Sequence, residues 1–306
     1  MLNCHKTNSQ KKTNKNDKKT KIKGILFALG AGIFFGLIGP ITKNAYNLGA
    51  GVALAIFLRY LVASIVISPS IIKQKNLLSV YKNNLKYFLL IASGSILLTI
   101  GLLLSVKYID VSLAIIVFCT YPIIVLIVSI FINKEKIPLS IKILFFTTFL
   151  GLFLSLSPSF ESLNLIGVFF ALVASFGAAT MIVINQKMAG KKLSPIQINI
   201  FINFVNTIFF FIVLNIFFKI DFNIGWDVLG VLLIPSLSYA VAIYLQLLAI
   251  PRIGQTKTAL FLYLEPITGI FGAVIILNEV LNNTQIFGTI IVILSLVAST
   301  YFSKKN

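Results

Sequence analysis

The stretch that decides the fold is FLYLEPITGIFGAVIILNE, residues Phe261–Glu279. It is apolar almost throughout, yet Glu265 stands inside it, directly before Pro266. In a water-soluble helix such a glutamate needs a buried partner. In a bilayer it lies near the midplane, where ionisable side chains are rare. The rest of the chain decides between these two environments.

The composition indicates a membrane protein. Of the 306 residues, 58% are hydrophobic and only 11% are charged, whereas soluble domains carry about 25% charged residues. The formal net charge of +18 comes mainly from lysines in the N-terminal segment and in short loops. It therefore reflects membrane topology rather than nucleic-acid binding. The two cysteines, Cys4 and Cys119, predict neither a disulfide framework nor a metal site.

Ten apolar runs are long enough to cross a bilayer, for which a helix needs about 20 residues. They lie at 24–43, 51–72, 86–106, 110–132, 138–157, 164–185, 195–218, 227–249, 255–277 and 283–302. The lysine- and asparagine-rich residues 1–23 predict a disordered basic cytoplasmic tail. The fold class expected is all-α integral membrane.

Lysine and arginine concentrate on one side of these spans. With the N-terminus placed inside, 22 of the 26 basic residues lie on the cytoplasmic side, three lie outside, and Arg59 lies within a span. Cytoplasmic loops carry such an excess of positive charge. The distribution predicts a multi-pass protein of the cell inner (plasma) membrane with both termini cytoplasmic.

The two halves of the chain repeat each other. Pro122 and Glu135 recur 144 residues later as Pro266 and Glu279. Small residues that let helices approach closely in lipid recur at a shift of 143, with Gly24, Ala28, Gly32 and Gly36 becoming Gly167, Ala171, Ser175 and Ala179. Since each half has five spans, the second half enters the membrane inverted, which is a common plan of secondary transporters.

These features resemble the EamA-type family of the drug/metabolite transporter superfamily. The resemblance rests on the ten spans, on YPIIVLIVSIFINKE (Tyr121–Glu135) beside EPITGIFGAVIILNE (Glu265–Glu279), on FLRYLVASIVI (Phe57–Ile67), and on the small-residue opening of the first span. It implies an EamA-like five-helix repeat at 24–157 and another at 164–302. It also implies a carrier of small organic metabolites, often amino acids and often exported, which needs no ATP and no cofactor.

Two charges lie deep in the predicted spans, Arg59 and Glu265. A charged side chain at the bilayer centre costs about 2.5–3.5 kcal/mol on insertion scales and usually faces the bundle interior. Arg59 suits a substrate carboxylate, which it can bind with paired donors. Glu265 suits a substrate ammonium group or a coupling proton. The alternative is a structural ion pair that locks two helices together.

Selectivity is expected where the halves differ. The aromatic and amide candidates for a cavity lining are Tyr121, Tyr239, Tyr244, Tyr263, Asn199 and Asn203. Their alternative role is hydrogen bonding between helices. Pro122 and Pro266 each remove a backbone donor, which predicts paired kinks that serve as a hinge or simply as packing.

The sequence therefore predicts a secondary transporter that works by alternating access at a midplane cavity between the repeats. The expected cargo is an amino acid or a related metabolite, with export favoured by the resemblance. Efflux of drugs or organic cations and a non-transporting assembly role are the alternatives. An enzyme is not expected, because the spans hold no histidine and no clustered ionisable groups. The expected partners are the lipid bilayer, a small-molecule substrate and, as one option, a coupling proton, but no nucleic acid; the pattern does not distinguish a monomer from a homodimer.

Overall fold

The computed structural model describes residues 2–158, 160–161, 163–217 and 225–305, with side chains described between residues 19 and 301. Every regular element within these ranges is a helix. Ten helices are long and apolar enough to cross a membrane, which confirms the predicted all-α architecture. These spans 1 to 10 are Lys19–Asn47, Val52–Lys73, Leu85–Ser105, Val111–Ile132, Leu139–Leu156, Leu165–Gly190, Pro195–Phe217, Trp226–Ile253, Gln255–Leu277 and Asn283–Tyr301.

Short elements complete the chain. Span 2 ends in a 3-10 turn, Ser68–Lys73, and a short helix, Leu77–Asn83, leads into span 3. The helix of span 10 continues to Lys305. Because the number of spans is even, both termini lie on one face with the loops after spans 2, 4, 6 and 8. We call this the basic face, since most of the lysines lie there, and the other the opposite face.

The helix of span 1 begins at Leu2 and runs to Asn47. The backbone is thus helical where the sequence predicts a disordered tail at 1–23. A helix is costly to nucleate but easier to extend, and span 1 supplies the nucleus on which the polar residues continue.

Spans 4 and 9 are each broken near the middle. Their segments are Val111–Phe118 followed by Tyr121–Ile127 with a π turn at Val128–Ile132, and Gln255–Phe261 followed by Leu264–Leu277. The cause is the proline at the start of each second segment. Pro122 and Pro266 have no N–H to bond the carbonyl four residues back, so one helical hydrogen bond is missing at each of these points.

The contacts between spans occur in pairs, and the two contacts of a pair are related by exchange of spans 1–5 with spans 6–10. Span 1 packs along span 8 as span 6 packs along span 3, and span 2 meets span 8 as span 7 meets span 3. Spans 5 and 10, and likewise spans 2 and 7, pack against their own counterparts. Ser64 and Thr207, which are 143 residues apart, share a hydrogen bond of 3.0 Å where spans 2 and 7 meet. These contacts fit two repeats, while the inverted orientation of the second remains a prediction.

The glycines of span 1 bring its backbone against span 9 beside the break. A Cβ added at Gly36 would lie 2.6 Å from the Cβ of Thr268 and 2.9 Å from the amide nitrogen of Gly269. A Cβ added at Gly32 would lie 3.1 Å from the Cβ of Leu264. This interface fixes the position of the second segment of span 9, which carries Glu265.

We expect Gly36→Val to destabilise this interface by about 1–3 kcal/mol, as overpacking of a filled core does. The measurement is thermal unfolding of the detergent-purified protein followed by circular dichroism. Gly39→Val is the matched control, since a Cβ at Gly39 on the same helix meets nothing within 4 Å. Equal melting temperatures for the two variants would contradict the close approach of spans 1 and 9.

Candidate functional site

The breaks of spans 4 and 9 meet in the interior and bring equivalent positions of the two halves together. Cys119 and Tyr121 lie at the first break, and a shift of 144 relates them to Tyr263 and Glu265 at the second. Glu265 lies within electrostatic range of Cys119 and Tyr121, and Tyr263 lies within range of both as well. The thiol and the two phenol side chains are buried, whereas Glu265 is half-buried.

The helix geometry explains why a carboxylate is tolerated here. Glu265 is the eleventh of the 23 residues of span 9, so it lies about halfway through. It also lies in the first turn of the helix Leu264–Leu277. The N-terminus of a helix carries a partial positive charge that favours a nearby anion.

Arg59 enters the same region from span 2. Its guanidinium carbon lies 5.9 Å from the centroid of the Tyr239 ring, and it lies within electrostatic range of Glu265. No salt bridge nevertheless joins these two charges, both of which the structure describes. Arg59 and Glu265 therefore face a common region without neutralising each other by contact.

Hydroxyl and amide groups extend the site between spans 2, 3 and 7. The Tyr60 hydroxyl lies 2.5 Å from Thr99 Oγ1 and 3.3 Å from Ser95 Oγ, and Asn206 Nδ2 donates to Ser95 Oγ at 2.7 Å. The Tyr239 ring packs edge-on against the Tyr60 ring at 5.2 Å. This group, Tyr60, Ser95, Thr99 and Asn206, is called the polar cluster below.

Some polar atoms around the cluster have no hydrogen-bond partner among the described residues. They are Asn203 Oδ1 and Asn206 Oδ1, both buried. An unsatisfied buried polar group costs about 1–3 kcal/mol. Water or a polar ligand that reaches these atoms is therefore stabilised.

The predicted residues do not all converge. Arg59, Tyr121, Tyr239, Tyr263 and Glu265 lie around the breaks or beside them, as described above. The amides of Asn199 and Asn203 bond mainly within span 7, where Asn203 Nδ2 donates to the Asn199 carbonyl at 2.9 Å and also to the Asn199 side-chain oxygen. Tyr244 is half-buried, and no contact described in the structure joins it to Arg59 or Glu265.

Sequence reasoning did not single out Tyr60, Ser95, Thr99 or Cys119. A signal was available for three of them in the repeat itself. A shift of 144 relates Ser95 to Tyr239 and Cys119 to Tyr263, and a shift of 143 relates Tyr60 to Asn203. A candidate in one half thus indicates that its equivalent in the other half belongs to the same site.

The chemistry of the site suits a zwitterion. A guanidinium presents a planar fork of donors to a carboxylate, and a carboxylate accepts from an ammonium group. Aromatic faces attract further positive charge. In the part of the chain that the structure describes, no three His, Cys, Asp or Glu side chains group in a way that would hold a metal ion.

Comparison with known proteins identifies what the chain is similar to. The sequence model of the EamA-like transporter family matches residues 22–157 and 165–301. The S-adenosylmethionine uptake transporter of Rickettsia bellii (strain RML369-C) is 24% identical over 258 residues, covering 81% of this chain and 84% of the relative. That of Rickettsia conorii (strain ATCC VR-613 / Malish 7) is 26% identical over 252 residues, covering 81% and 83%.

A solved crystal structure has the same fold. It superposes with a TM-score of 0.78 over 92% of this chain and 98% of its own chain. The sequences are 13% identical, so this likeness concerns the fold alone.

Proposed function

Because this chain belongs to the EamA-like transporter family, we propose that it is a secondary active transporter that carries an amino-acid-bearing metabolite by alternating access. The substrate binds where the breaks of spans 4 and 9 meet Arg59. The observation that carries this proposal is that Arg59 and Glu265 lie within electrostatic range without an ion pair. An α-amino acid group supplies both of the missing partners, a carboxylate for Arg59 and an ammonium group for Glu265.

The relatives favour one class of such substrates. Both are S-adenosylmethionine uptake transporters, and S-adenosylmethionine joins an α-amino acid group to a sulfonium cation and a purine nucleoside. Tyr121 and Tyr263 supply aromatic faces near Glu265 for the cation. Tyr60, Tyr239 and the polar cluster supply rings and hydrogen-bonding groups for the nucleoside. The direction proposed is uptake, in place of the export that the family resemblance favours.

Organic-cation efflux is the second candidate, since Glu265 lies among aromatic rings. The position of Arg59 argues against it, because a guanidinium within range of Glu265 repels a ligand that carries positive charge alone. A zwitterionic group resolves this repulsion. An assembly protein that transports nothing would tolerate neutral residues at both charged positions.

The membrane orientation follows from the basic face. Its excess of lysine places it in the cytoplasm, so both termini are proposed to be cytoplasmic in the plasma membrane. The energy source is proposed to be a proton gradient acting through Glu265.

The test is uptake of labelled S-adenosylmethionine by proteoliposomes that contain the purified protein, with empty liposomes as the blank. We expect saturable uptake that unlabelled S-adenosylmethionine inhibits strongly and that S-adenosylhomocysteine, which lacks the sulfonium charge, inhibits less strongly. Methionine and adenosine each satisfy only part of the site, so they should inhibit weakly.

The competition pattern separates the readings. Full inhibition by methionine would identify a general amino acid carrier. Uptake of a simple organic cation but not of S-adenosylmethionine would favour the efflux class. Absence of saturable uptake for every compound, in protein shown to be folded, would contradict the proposed function.

A further inference from the structure

Two equivalent glutamates lie in different environments at the two faces. Glu135 follows span 4 at the basic face, and Glu279 follows span 9 at the opposite face, 144 residues later. Glu279 Oε1 accepts from Lys43 Nζ at 2.8 Å, with side chains that are 47% and 60% exposed. This ion pair lies in water, where such pairs are weak.

Glu135 instead closes a network of four residues. Gln255 Nε2 donates to Ser129 Oγ at 2.6 Å and to Glu135 Oε1 at 3.2 Å. Thr256 Oγ1 donates to Ser129 Oγ at 2.8 Å and lies 3.4 Å from Glu135 Oε2. Ser129, Gln255 and Thr256 are buried. The network thus joins the end of span 4 to the start of span 9.

The equivalent positions at the opposite face are not joined in this way. Val111 and Ser112 correspond to Gln255 and Thr256, and Ala273 corresponds to Ser129. Val111 is 59% exposed, and in the described part of the chain no hydrogen bond connects Ser112 to the end of span 9. Among the described residues, the start of span 9 is therefore hydrogen-bonded to the end of span 4 at the basic face, whereas Ser112 makes no equivalent bond to the end of span 9.

A cleft in the surface of the basic face reaches the network formed by Ser129, Glu135, Gln255 and Thr256. Its volume is about 360 Å³, and Glu135, Lys136, Thr256 and Lys257 are among its lining residues. Side-chain hydrogen bonds next to such a cleft can be exchanged for bonds to water at small net cost. Gly254, with a backbone φ of +83°, provides the turn from which span 9 starts.

We propose that Ser129, Glu135, Gln255 and Thr256 form the gate of the transport path at the basic face. The gate is closed in this structure, and it must open for the substrate to cross between the site and that face. The proposal rests on the proposed transport function, and it assigns to these four residues a role apart from binding the substrate.

A disulfide tests whether the gate must open. In a Cys4→Ser background that keeps the buried Cys119, Ser129→Cys and Thr256→Cys replace two hydroxyls that lie 2.8 Å apart, so the two introduced thiols are close neighbours that an oxidant can join. We expect oxidation to reduce net uptake of S-adenosylmethionine to the rate of empty liposomes. Binding of the labelled compound should persist, and dithiothreitol should restore uptake.

Spans 5 and 10 provide the matched control. Ser155 Oγ and Thr289 Oγ1 lie 2.6 Å apart in the buried interface of these spans, away from the candidate site. A disulfide between Ser155→Cys and Thr289→Cys should leave uptake unchanged. Equal uptake before and after oxidation of the Ser129→Cys, Thr256→Cys protein, with the disulfide demonstrated, would overturn the gate.

A second measurement does not depend on the substrate. In Cys4→Ser protein, the remaining thiol is Cys119, buried beside Glu265. In vesicles of known orientation, we expect Glu135→Ala to raise the rate at which a membrane-impermeant maleimide labels Cys119 from the basic face by about tenfold, as a population shift toward the open gate does. Glu279→Ala, the equivalent change at the opposite face, should leave this rate unaltered.

The two measurements separate the proposals. Faster labelling in Glu135→Ala, together with no uptake in any variant, would support the gate and refute the proposed substrate. Uptake by the wild type, with labelling equal in Glu135→Ala and Glu279→Ala, would refute the gate and leave the transport function standing.

Discussion

Replacement of Arg59 by alanine is expected to raise the dissociation constant for the substrate by about 100-fold, because a charge-assisted hydrogen bond contributes about 1.5–3 kcal/mol and 1.4 kcal/mol is a factor of ten. Arg59 is the basic residue that lies within electrostatic range of Glu265. Its loss leaves a substrate carboxylate without a cationic partner. The measurement is equilibrium binding of labelled S-adenosylmethionine to the purified variant.

Two further variants test whether the loss of affinity comes from the guanidinium group of Arg59. Arg59→Lys keeps the charge but loses the planar fork, so we expect an intermediate affinity. Arg252→Ala is the control for removal of a half-buried arginine, since Arg252 also lies over an aromatic ring, 5.1 Å from the Phe27 centroid, but at the end of span 8. Wild-type affinity in Arg59→Ala would show that Arg59 does not bind the substrate.

Replacement of Glu265 by glutamine is expected to abolish the stimulation of uptake by an imposed proton gradient. Glutamine preserves the size of the side chain and its hydrogen-bonding oxygen, but it cannot release a proton. Exchange of labelled for unlabelled substrate at equal concentrations needs no net proton movement, and the glutamine oxygen still accepts from the substrate ammonium group, so we expect exchange to continue with a weaker affinity for the substrate. The measurement compares gradient-driven uptake with exchange in the same proteoliposomes.

The pattern of losses identifies the role of the carboxylate. Loss of exchange as well as of gradient-driven uptake would indicate that the Glu265 carboxylate is required to bind the substrate ammonium group, and it would leave the proton role without support. A response to the gradient equal to that of the wild type would contradict both roles. Glu279→Gln is the control, because it removes an exposed carboxylate just after span 9. Its uptake should respond to the proton gradient like that of the wild type.

Most of the fold could be predicted from the sequence. The spans follow from apolar runs, because a bilayer requires every backbone polar group to be bonded within its own helix. The breaks in spans 4 and 9 follow from Pro122 and Pro266, which are local features. The helix at Leu2 differs from prediction, because composition describes an isolated segment and not one attached to a long helix.

The candidate site could be predicted only in part. Arg59 and Glu265 were identifiable because charge is rare in apolar spans. Tyr60, Ser95 and Thr99 of the polar cluster were not, because serine and threonine commonly bond the carbonyl of their own helix, as Thr99 does to the Ser95 carbonyl at 3.0 Å. Only the packing of spans 2, 3 and 7 shows that Tyr60 and Asn206 meet Ser95. For the same reason, the sequence did not reveal that the amides of Asn199 and Asn203 bond mainly each other.

The proposed gate at the basic face and the ion pair at the opposite face differ in strength, and we expect this difference to affect the equilibrium between the conformers of the empty protein. A duplicated protein with two identical inverted halves would have two states of equal free energy, related by a two-fold axis in the membrane plane. The gate that contains Glu135 is a partly buried network of four residues. At the opposite face, Glu279 forms one exposed ion pair, which contributes about 0–1 kcal/mol. We therefore expect the empty protein to favour one conformer, and a ligand has to bind the rarer conformer more tightly to reverse that bias. We expect differences between the repeats at a few positions near the two faces to determine the side of the membrane to which the empty protein is open.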